Sequence, residues 1–481
     1  MVFSALYQVI TFVPPVQLIE SMAALPFWSA PLPDRTKPLF GYDRLPNVTN
    51  SAVYFGSSVG GFYNHAAMMS FFESRLMLSW KNAPLSEDTP GQRVLFSESS
   101  DGLVWSRARI LFPNVSTAMT PAAQFAGPFA SINGRLYASA TPAIIADGDA
   151  QGAQFCLWPD GLDPRNCATP DRPGTEPSGL LMMRQIIPSS MPNGSATLGP
   201  VFWAYDDPPK VLAAAAAANG VVHLHSMDAT TRGDIARLTA NGVADAFIPP
   251  CDGVGPSSGT LKCEGCVGGC QLYDSPGTKG HGIANERCHY DVPHSSADAM
   301  LFRSHANVLY ASVRGDTASG QAGWSAVGPT SIPNDNSNLN CGSLPEAQGV
   351  FIVANAAPAK VRDPLTIALS ADGRNFSTCS VVQTCIDLPL LPTSLENALL
   401  PPQGEVSAAS EEPSPPSIPP ATGCKARQDA NHNVGPSYPQ AVSVVGPGAP
   451  ESMRALYVVA TNNKEDVVVS KVPWSVLSMM A

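Results

Sequence analysis

The stretch Ser99-Ser100-Asp101-Gly102-Leu103-Val104-Trp105 returns at the same internal spacing as Ser370-Ala371-Asp372-Gly373-Arg374-Asn375-Phe376. Each copy follows a run of strand-forming residues, Arg93-Val94-Leu95-Phe96 in the first case and Leu365-Thr366-Ile367-Ala368-Leu369 in the second. The shared pattern is Ser-x-Asp-Gly-x-x-aromatic. Asp-Gly makes a tight turn because Gly accepts a positive φ and the Asp side chain caps the local backbone. The aromatic residue three places after the Gly is then free to fold back between sheets. A hairpin unit repeated far apart in one chain predicts a β-repeat architecture. A degenerate third copy runs from Ser319 to Trp324.

The rest of the chain agrees with that reading. Short β-like runs dominate, at 52–57, 67–72, 75–80, 92–97, 107–112, 135–139, 199–204, 220–225, 299–303, 307–313, 349–354, 365–369, 441–446, 455–460 and 466–472. Turns rich in Gly, Pro, Asn and Asp separate them, as in a sandwich, barrel or propeller. Many runs come as pairs around a small polar turn, such as Asn133-Gly134, which suits the middle strands of propeller blades. The expected fold is therefore all-β. Helix signals are few: an alanine run from Pro209 to Ala218 stopped by Asn219-Gly220, and a short stretch from Asp234 to Leu238. Residues 1–40 read as an N-terminal segment and 41–481 as one repeat domain. A Cys/Gly-rich insertion at about 245–285 and a Pro/Ser/Glu-rich, disordered insertion at 399–423 interrupt it. The run near 52–57 is expected to pair with the last strands and close a ring.

Composition narrows the partners. The net charge of −11 argues against nucleic acid and anionic membranes. A local cluster of Arg still permits an acidic sugar. Eleven cysteines and sequons at Asn47, Asn114, Asn193 and Asn375 fit a secreted glycoprotein, and the odd count leaves one thiol over. Close pairs are 156/167 and 379/385. The first 32 residues carry one charge, Glu20, and the first Arg is Arg35, so any signal peptide is atypical. No run reaches a transmembrane length.

Several clusters carry possible chemistry. Tyr63-Asn64-His65 precedes a strand, and Trp80-Lys81-Asn82 leads into Ser86-Glu87-Asp88 and Gln92-Arg93. A strand pair would bring an imidazole, two carboxylates and the amides of Asn82 and Gln92 to one end of a blade, and His suits acid–base work near neutral pH. Asn285-Glu286-Arg287-Cys288-His289-Tyr290 sets Arg, His and Tyr together. Arg clamps a carboxylate with parallel hydrogen bonds, and His and Tyr exchange protons. Strand alternation puts Arg287 and His289 on one side and Tyr290 on the other. Arg362, before the second repeat, and Arg184 and Arg303 are further carboxylate-binding candidates, although an inward Arg is more often a structural tie. Cys263, Cys266 and Cys270 with Cys288 would accept zinc, but the scattered cysteines favour disulfides. His223 and His225 alternate along a short strand. They read as cavity or core histidines before a metal pair, and no metal is assigned.

Taken together these motifs resemble the sialidase-like, BNR/Asp-box β-propellers, from about Tyr63 to Val472. The residues that carry the resemblance include Leu198-Gly199-Pro200-Val201-Phe202-Trp203, Arg362-Asp363-Pro364-Leu365 and both Asp boxes. Among these proteins the chain looks most similar to the L-rhamnose-α-1,4-D-glucuronate lyases and the rhamnosidases of seven-bladed shape. The resemblance implies a single propeller of seven blades, with six as the runner-up, and Asp boxes on the rim away from the ligand. It implies an exo-acting enzyme that removes a terminal sugar from an acidic polysaccharide, by β-elimination or glycosidase chemistry in an axial pocket. His65 matches an early His position of the family, and Arg184, Arg287 and Arg362 match Arg positions around its pocket. Together with the clusters above, catalysis is expected at His65, His289 and Tyr290, and substrate binding at Arg184, Arg287, Arg303, Arg362, Asn82 and Gln92, with no cofactor. True sialidases carry an early Arg-Ile-Pro motif, which is missing here. The alternatives are an exo-sialidase, a non-catalytic glycan-binding propeller and a protein-interaction scaffold.

Overall fold

The computed structural model describes residues 25–145, 155–156, 181–240, 283–387 and 434–480, apart from positions 88, 118–120, 190, 192–193, 205–209, 305, 315–327, 345–348, 358–360 and 447. Strands make up most of it, and five antiparallel units of four strands repeat along the chain. Sheet I holds Tyr63–Phe72, Arg75–Ala83, Arg93–Ser99 and Arg109–Phe112. Sheet II holds Ala122–Ile132, Arg135–Ile145, Met182–Ile187 and Thr197–Trp203, and is extended by Phe155–Cys156 and Val222–His223. Sheet III holds Ile283–Asp291, Asp298–Ser304, Val308–Arg314 and Gly328–Pro333. Sheet IV holds Asn340–Leu344, Gly349–Ala354, Leu365–Ser370 and Thr378–Gln383, with Asp43–Arg44 added in parallel. Sheet V holds Pro436–Val444, Ala455–Asn462 and Asp466–Pro473, and Thr49–Tyr54 completes it as the fourth strand. The expected pairing of the early run with the last strands is thus observed. The blade count of seven or six is not reached among the described residues.

The core lies between sheets. Tyr54, Trp80, Trp105 and Tyr457 pack in one cluster between sheets I and V. Phe96, Met77, Leu136 and Trp203 join I to II, Tyr290, Leu301, Ile352 and Phe376 join III to IV, and Val353, Leu365, Leu456 and Val472 join IV to V. A sheet packed on both faces has no polar side, which is why Arg75–Ala83 is buried at every position and shows no strict alternation. First strands face one another: that of sheet I packs on those of II and V, and that of IV on those of III and V.

Both Asp boxes occupy the turn between the third and fourth strands of their sheets. Asp101 accepts from the backbone amides of Leu103 and Val104, each at 2.8 Å, and from the Ser99 hydroxyl at 3.0 Å. Asp372 repeats this with Arg374 N at 2.8 Å, Asn375 N at 2.7 Å and Ser370 Oγ at 2.9 Å. Gly102 and Gly373 sit at φ of 73° and 69°. Trp105 and Phe376 are buried, as the spacing predicts. The third copy, Ser319 to Trp324, lies outside the described residues, as do the insertion at 399–423, the cysteines Cys263, Cys266 and Cys270, and the insertion at about 245–285 up to residue 282, after which the strand Ile283–Asp291 begins.

The alanine run forms Lys210–Ala218, and a longer helix than expected, Ala229–Ala240, packs on sheet II. Asp228 caps it through Thr231 N at 2.9 Å, and Asp234 is held by Tyr137 Oη at 2.8 Å and Arg135 at 3.0 Å. His223 and His225 do not alternate along one strand. The chain turns into a 3-10 turn at Leu224–Ser226, and the two rings stack 5.2 Å apart. Cys288 and Cys341 form a disulfide that ties the first strands of III and IV. The close pair 379/385 is not bonded: Cys379 is free, and Cys385 is in a disulfide with another partner. No described helix is long and apolar enough to cross a membrane.

Candidate functional site

Register separates the two ends of each sheet. In sheet I, Asn64 pairs Asn82 and His65 pairs Lys81 at one end, whereas Leu76 pairs Ser99, which opens the Asp box, at the other. In sheet IV, Asn340 pairs Val353 at one end and Val350 pairs Ser370 at the other. The start of each first strand therefore lies opposite the Asp boxes. Chemistry-bearing side chains gather at that start.

Two β-bulges aim the central pair. The ladder of sheet I slips between His65 and Met68, with Ala66 at φ 49°, and that of sheet V slips between Ser437 and Gln440, with Tyr438 at φ 55°. Bulges re-aim side chains and recur beside functional sites. Here they bring the His65 and Tyr438 rings to a centroid distance of 4.1 Å. Tyr63 flanks His65 edge-on at 5.8 Å.

Cations surround this pair. The Arg303 and Arg362 guanidinium carbons lie 5.8 and 5.4 Å from the Tyr438 ring centroid. Arg303 also donates Nη1–H to the Tyr438 hydroxyl at 2.8 Å and Nε–H to Asn336 Oδ1 at 2.9 Å. On the other side Lys81 and Lys464 both hold Glu87, Lys81 at 2.8 Å. Their ammonium groups lie 5.7 and 5.9 Å from the Tyr63 ring, and Lys81 is 4.9 Å from Phe125. Burial alone would raise the Glu87 pKa, but the two lysines outweigh it and hold the carboxylate well below its usual range. The cluster has four cations against the carboxylates of Glu87 and Asp335, in a chain of net charge −11. Such a local surplus favours an anionic ligand.

His65 is fully buried, and burial pushes its pKa well below 6.5, helped by Lys464, Lys81 and Arg362 and opposed by Glu87. It is neutral at neutral pH. Its Nδ1 is 2.9 Å from Thr461 Oγ1, and its Nε2 has no hydrogen-bond partner among the described residues. Asp335 is also buried, and neither carboxylate oxygen has a well-formed hydrogen bond. Burial pushes its pKa up to about 7, against the pull of Arg362, Arg303 and the Ser337 backbone.

Of the residues expected from sequence, the structure brings together His65, Arg303 and Arg362. Arg287 pairs Phe302, next to Arg303, in the sheet III ladder, and its side chain lies outside the described residues. The others are placed differently. Tyr290 is buried near the Asp-box end of sheet III and donates to Gly373 O at 2.7 Å. His289, on the opposite side of that strand, is half exposed and lies 3.6 Å from Asp298, which Arg314 also engages. Arg184 spends its guanidinium on the carbonyls of Gly199, Ile110 and Leu111, and burial lowers its pKa to about 10. Asn82 bonds Gly60 O and Asn64 and accepts from Arg93, and Gln92 donates to Gln124 O at 2.7 Å. Long-range backbone and side-chain partners, invisible in sequence, use up these groups.

Sequence reasoning missed Tyr438, Thr461 and Lys464, and gave Asp335 no role. The signals were slight: Pro436-Ser437-Tyr438-Pro439, an aromatic between prolines at a strand start, and Thr461-Asn462-Asn463-Lys464, a polar turn after an apolar strand.

Known proteins resemble the chain in fold. Residues 281–445 match a BNR repeat-like domain, and residues 53–128 match a BT_1020-like N-terminal β-propeller. A solved sialidase superposes with a TM-score of 0.57 at 17% identity, over 93% of this chain and 35% of that one. The chain thus spans about a third of that protein's length. A Trypanosoma rangeli sialidase mutant displaying trans-sialidase activity matches at 8% identity and TM-score 0.40, covering 92% of this chain and 61% of that one. No curated protein matches the sequence. The fold is mostly β, with sialidase-like propeller neighbours.

Proposed function

We propose that the protein is a carbohydrate-active enzyme that removes a terminal sugar from an acidic glycan at the Tyr438–His65 cluster. The observation that carries this reading is a neutral, buried His65 with an unpartnered Nε2, its ring tilted against a phenol that two arginines flank. Arg303 and Arg362 are the groups to receive a uronate carboxylate, because planar guanidinium matches it. Their charge acidifies the adjacent C5–H. His65 Nε2 then takes the C5 proton, the C4–C5 double bond forms, the C4–O4 bond breaks, and the leaving oxygen takes the Tyr438 hydroxyl proton. These steps use side chains alone. The cluster and the fold support an acidic oligosaccharide as ligand, and the disulfide Cys288–Cys341 supports an extracellular setting.

A second reading is hydrolysis, exo-sialidase chemistry included, with Tyr438 as nucleophile. It is favoured by the Arg303 N–H on the phenol oxygen, which stabilises a phenolate. One assay separates the readings. Incubation with a rhamnose-capped glucuronan is expected to release rhamnose and raise absorbance near about 230 nm, the mark of a new unsaturated uronate left by proton abstraction. Sugar release without absorbance points to hydrolysis. Binding to a broad acidic glycan panel with no release points to a glycan-binding propeller and overturns the enzyme reading.

A further inference from the structure

We propose that Thr461 fixes the tautomer of His65, so that the proton sits on Nδ1 and the lone pair on Nε2. The inference deepens the reading of the same site and rests on it for its catalytic meaning. Thr461 is fully buried at the end of Ala455–Asn462. Its hydroxyl lies 2.9 Å from His65 Nδ1 and 3.3 Å from the Ser437 carbonyl. A carbonyl only accepts, so the single Thr461 proton is needed there. The hydroxyl oxygen is then an acceptor towards His65, and Nδ1 is the donor. The other tautomer turns the Thr461 proton to Nδ1, gives up the Ser437 bond and buries an N–H at Nε2 where no acceptor is found. One arrangement makes two hydrogen bonds and the other makes one. An orphaned buried donor is among the expensive defects of a folded protein.

The placement is consistent with the fold. Ser437 and Thr461 face each other in the sheet V ladder, next to the bulge that turns Tyr438 inward. The Thr461 contact, with Tyr438 and Tyr63 against the ring, fixes the imidazole in its plane. Lys464, Lys81, Arg362 and Glu87 are the charged groups that act on it. Thr461 is thus a positioning residue, acting through His65.

The test is nitrogen NMR on the full chain labelled with ¹⁵N-histidine, with the His65 signals identified by their loss in His65→Gln. The wild type is expected to show the Nδ1–H pattern. Thr461→Val, which keeps the shape and removes the hydroxyl, is expected to shift His65 towards Nε2–H, and Thr461→Ser to keep Nδ1–H. With a substrate in hand, Thr461→Val is expected to lower kcat roughly 100-fold, the low end of what a positioned base contributes. KM is expected to stay within a few-fold, and Thr461→Ser to restore most of the rate. An Nε2–H pattern in the wild type overturns the inference, and so does an unchanged pattern in Thr461→Val. Should Thr461→Val fail to fold, the wild-type pattern decides alone. Nδ1–H in a protein that turns over no acidic glycan supports the tautomer and overturns the enzyme reading, so the two fail separately.

Discussion

The two ends of the sheets use the same residue types in opposite ways. At the Asp-box end, Tyr457 and Tyr290 reach from sheets V and III to the turns of sheets I and IV, donating to Asp101 O at 3.4 Å and Gly373 O at 2.7 Å. At the other end, Tyr438 is half buried and accepts from Arg303. The first two phenols have given their protons to backbone carbonyls, and burial pushes their pKa values up. The third takes a guanidinium N–H on its oxygen. The carboxylates divide likewise. Burial would raise Asp372, but its ring of amide donors holds it below the usual value, whereas donor-starved Asp335 is pushed up to about 7. What a side chain can do is set by the donors and acceptors the fold leaves around it. One end is satisfied and structural. The other keeps unmet hydrogen-bonding capacity.

Four changes probe this contrast, from the largest effect down. His65→Gln is expected to cut kcat by roughly 100- to 10,000-fold, the span of a lost general base, with the melting curve showing a folded protein. Full activity would move the site away from this cluster. Asp335→Asn tests the donor-starved carboxylate through stability. Its folded pKa is raised, so the folded state keeps a proton that the unfolded chain releases between about pH 4 and 7. Wild-type stability should then fall as pH rises across that window. The variant should be the more stable above pH 7, by up to roughly 4 kcal/mol, by roughly 1.5 kcal/mol at pH 5, and near parity only below about pH 4. A flat difference in urea midpoints from pH 5 to 8 would show that Asp335 does not titrate there.

At the structural end, Gly102→Ala places a Cβ 2.1 Å from the Tyr457 ring at a positive φ. We expect a loss of about 2–3 kcal/mol in urea unfolding, with unchanged turnover per folded molecule. Tyr290→Phe should be the mildest. It loses one hydrogen bond, roughly 1 kcal/mol, and leaves activity intact. A large catalytic defect in Tyr290→Phe would erase the distinction between the two ends.

Much of the fold was legible because the signals were local. The Asp-box turns and the short strand-forming runs rest on neighbours within a few residues. The strands Ala122–Ile132 and Asn340–Leu344 were not seen, since their small residues, Ala and Gly in the first and Gly and Ser in the second, carry no apolar alternation. The site was half legible. His65, Arg303 and Arg362 were singled out by residue type and position ahead of or along strands. Arg184, Asn82, Gln92 and Tyr290 carried the same marks, and only their carbonyl and amide partners from distant segments set them apart.

By itself, the sequence determined a β-repeat chain, the phase of its turns, and a strand end rich in His and Arg, because turns and periodicity are short-range properties. Tertiary structure alone decided which polar groups remain unmet. His65, Thr461 and Tyr438 are almost 400 residues apart at their extremes, and His65 and Thr461 meet with |i−j| of 396. Two bulges on neighbouring first strands bring them together, and no local pattern encodes the hydrogen-bond accounting that follows.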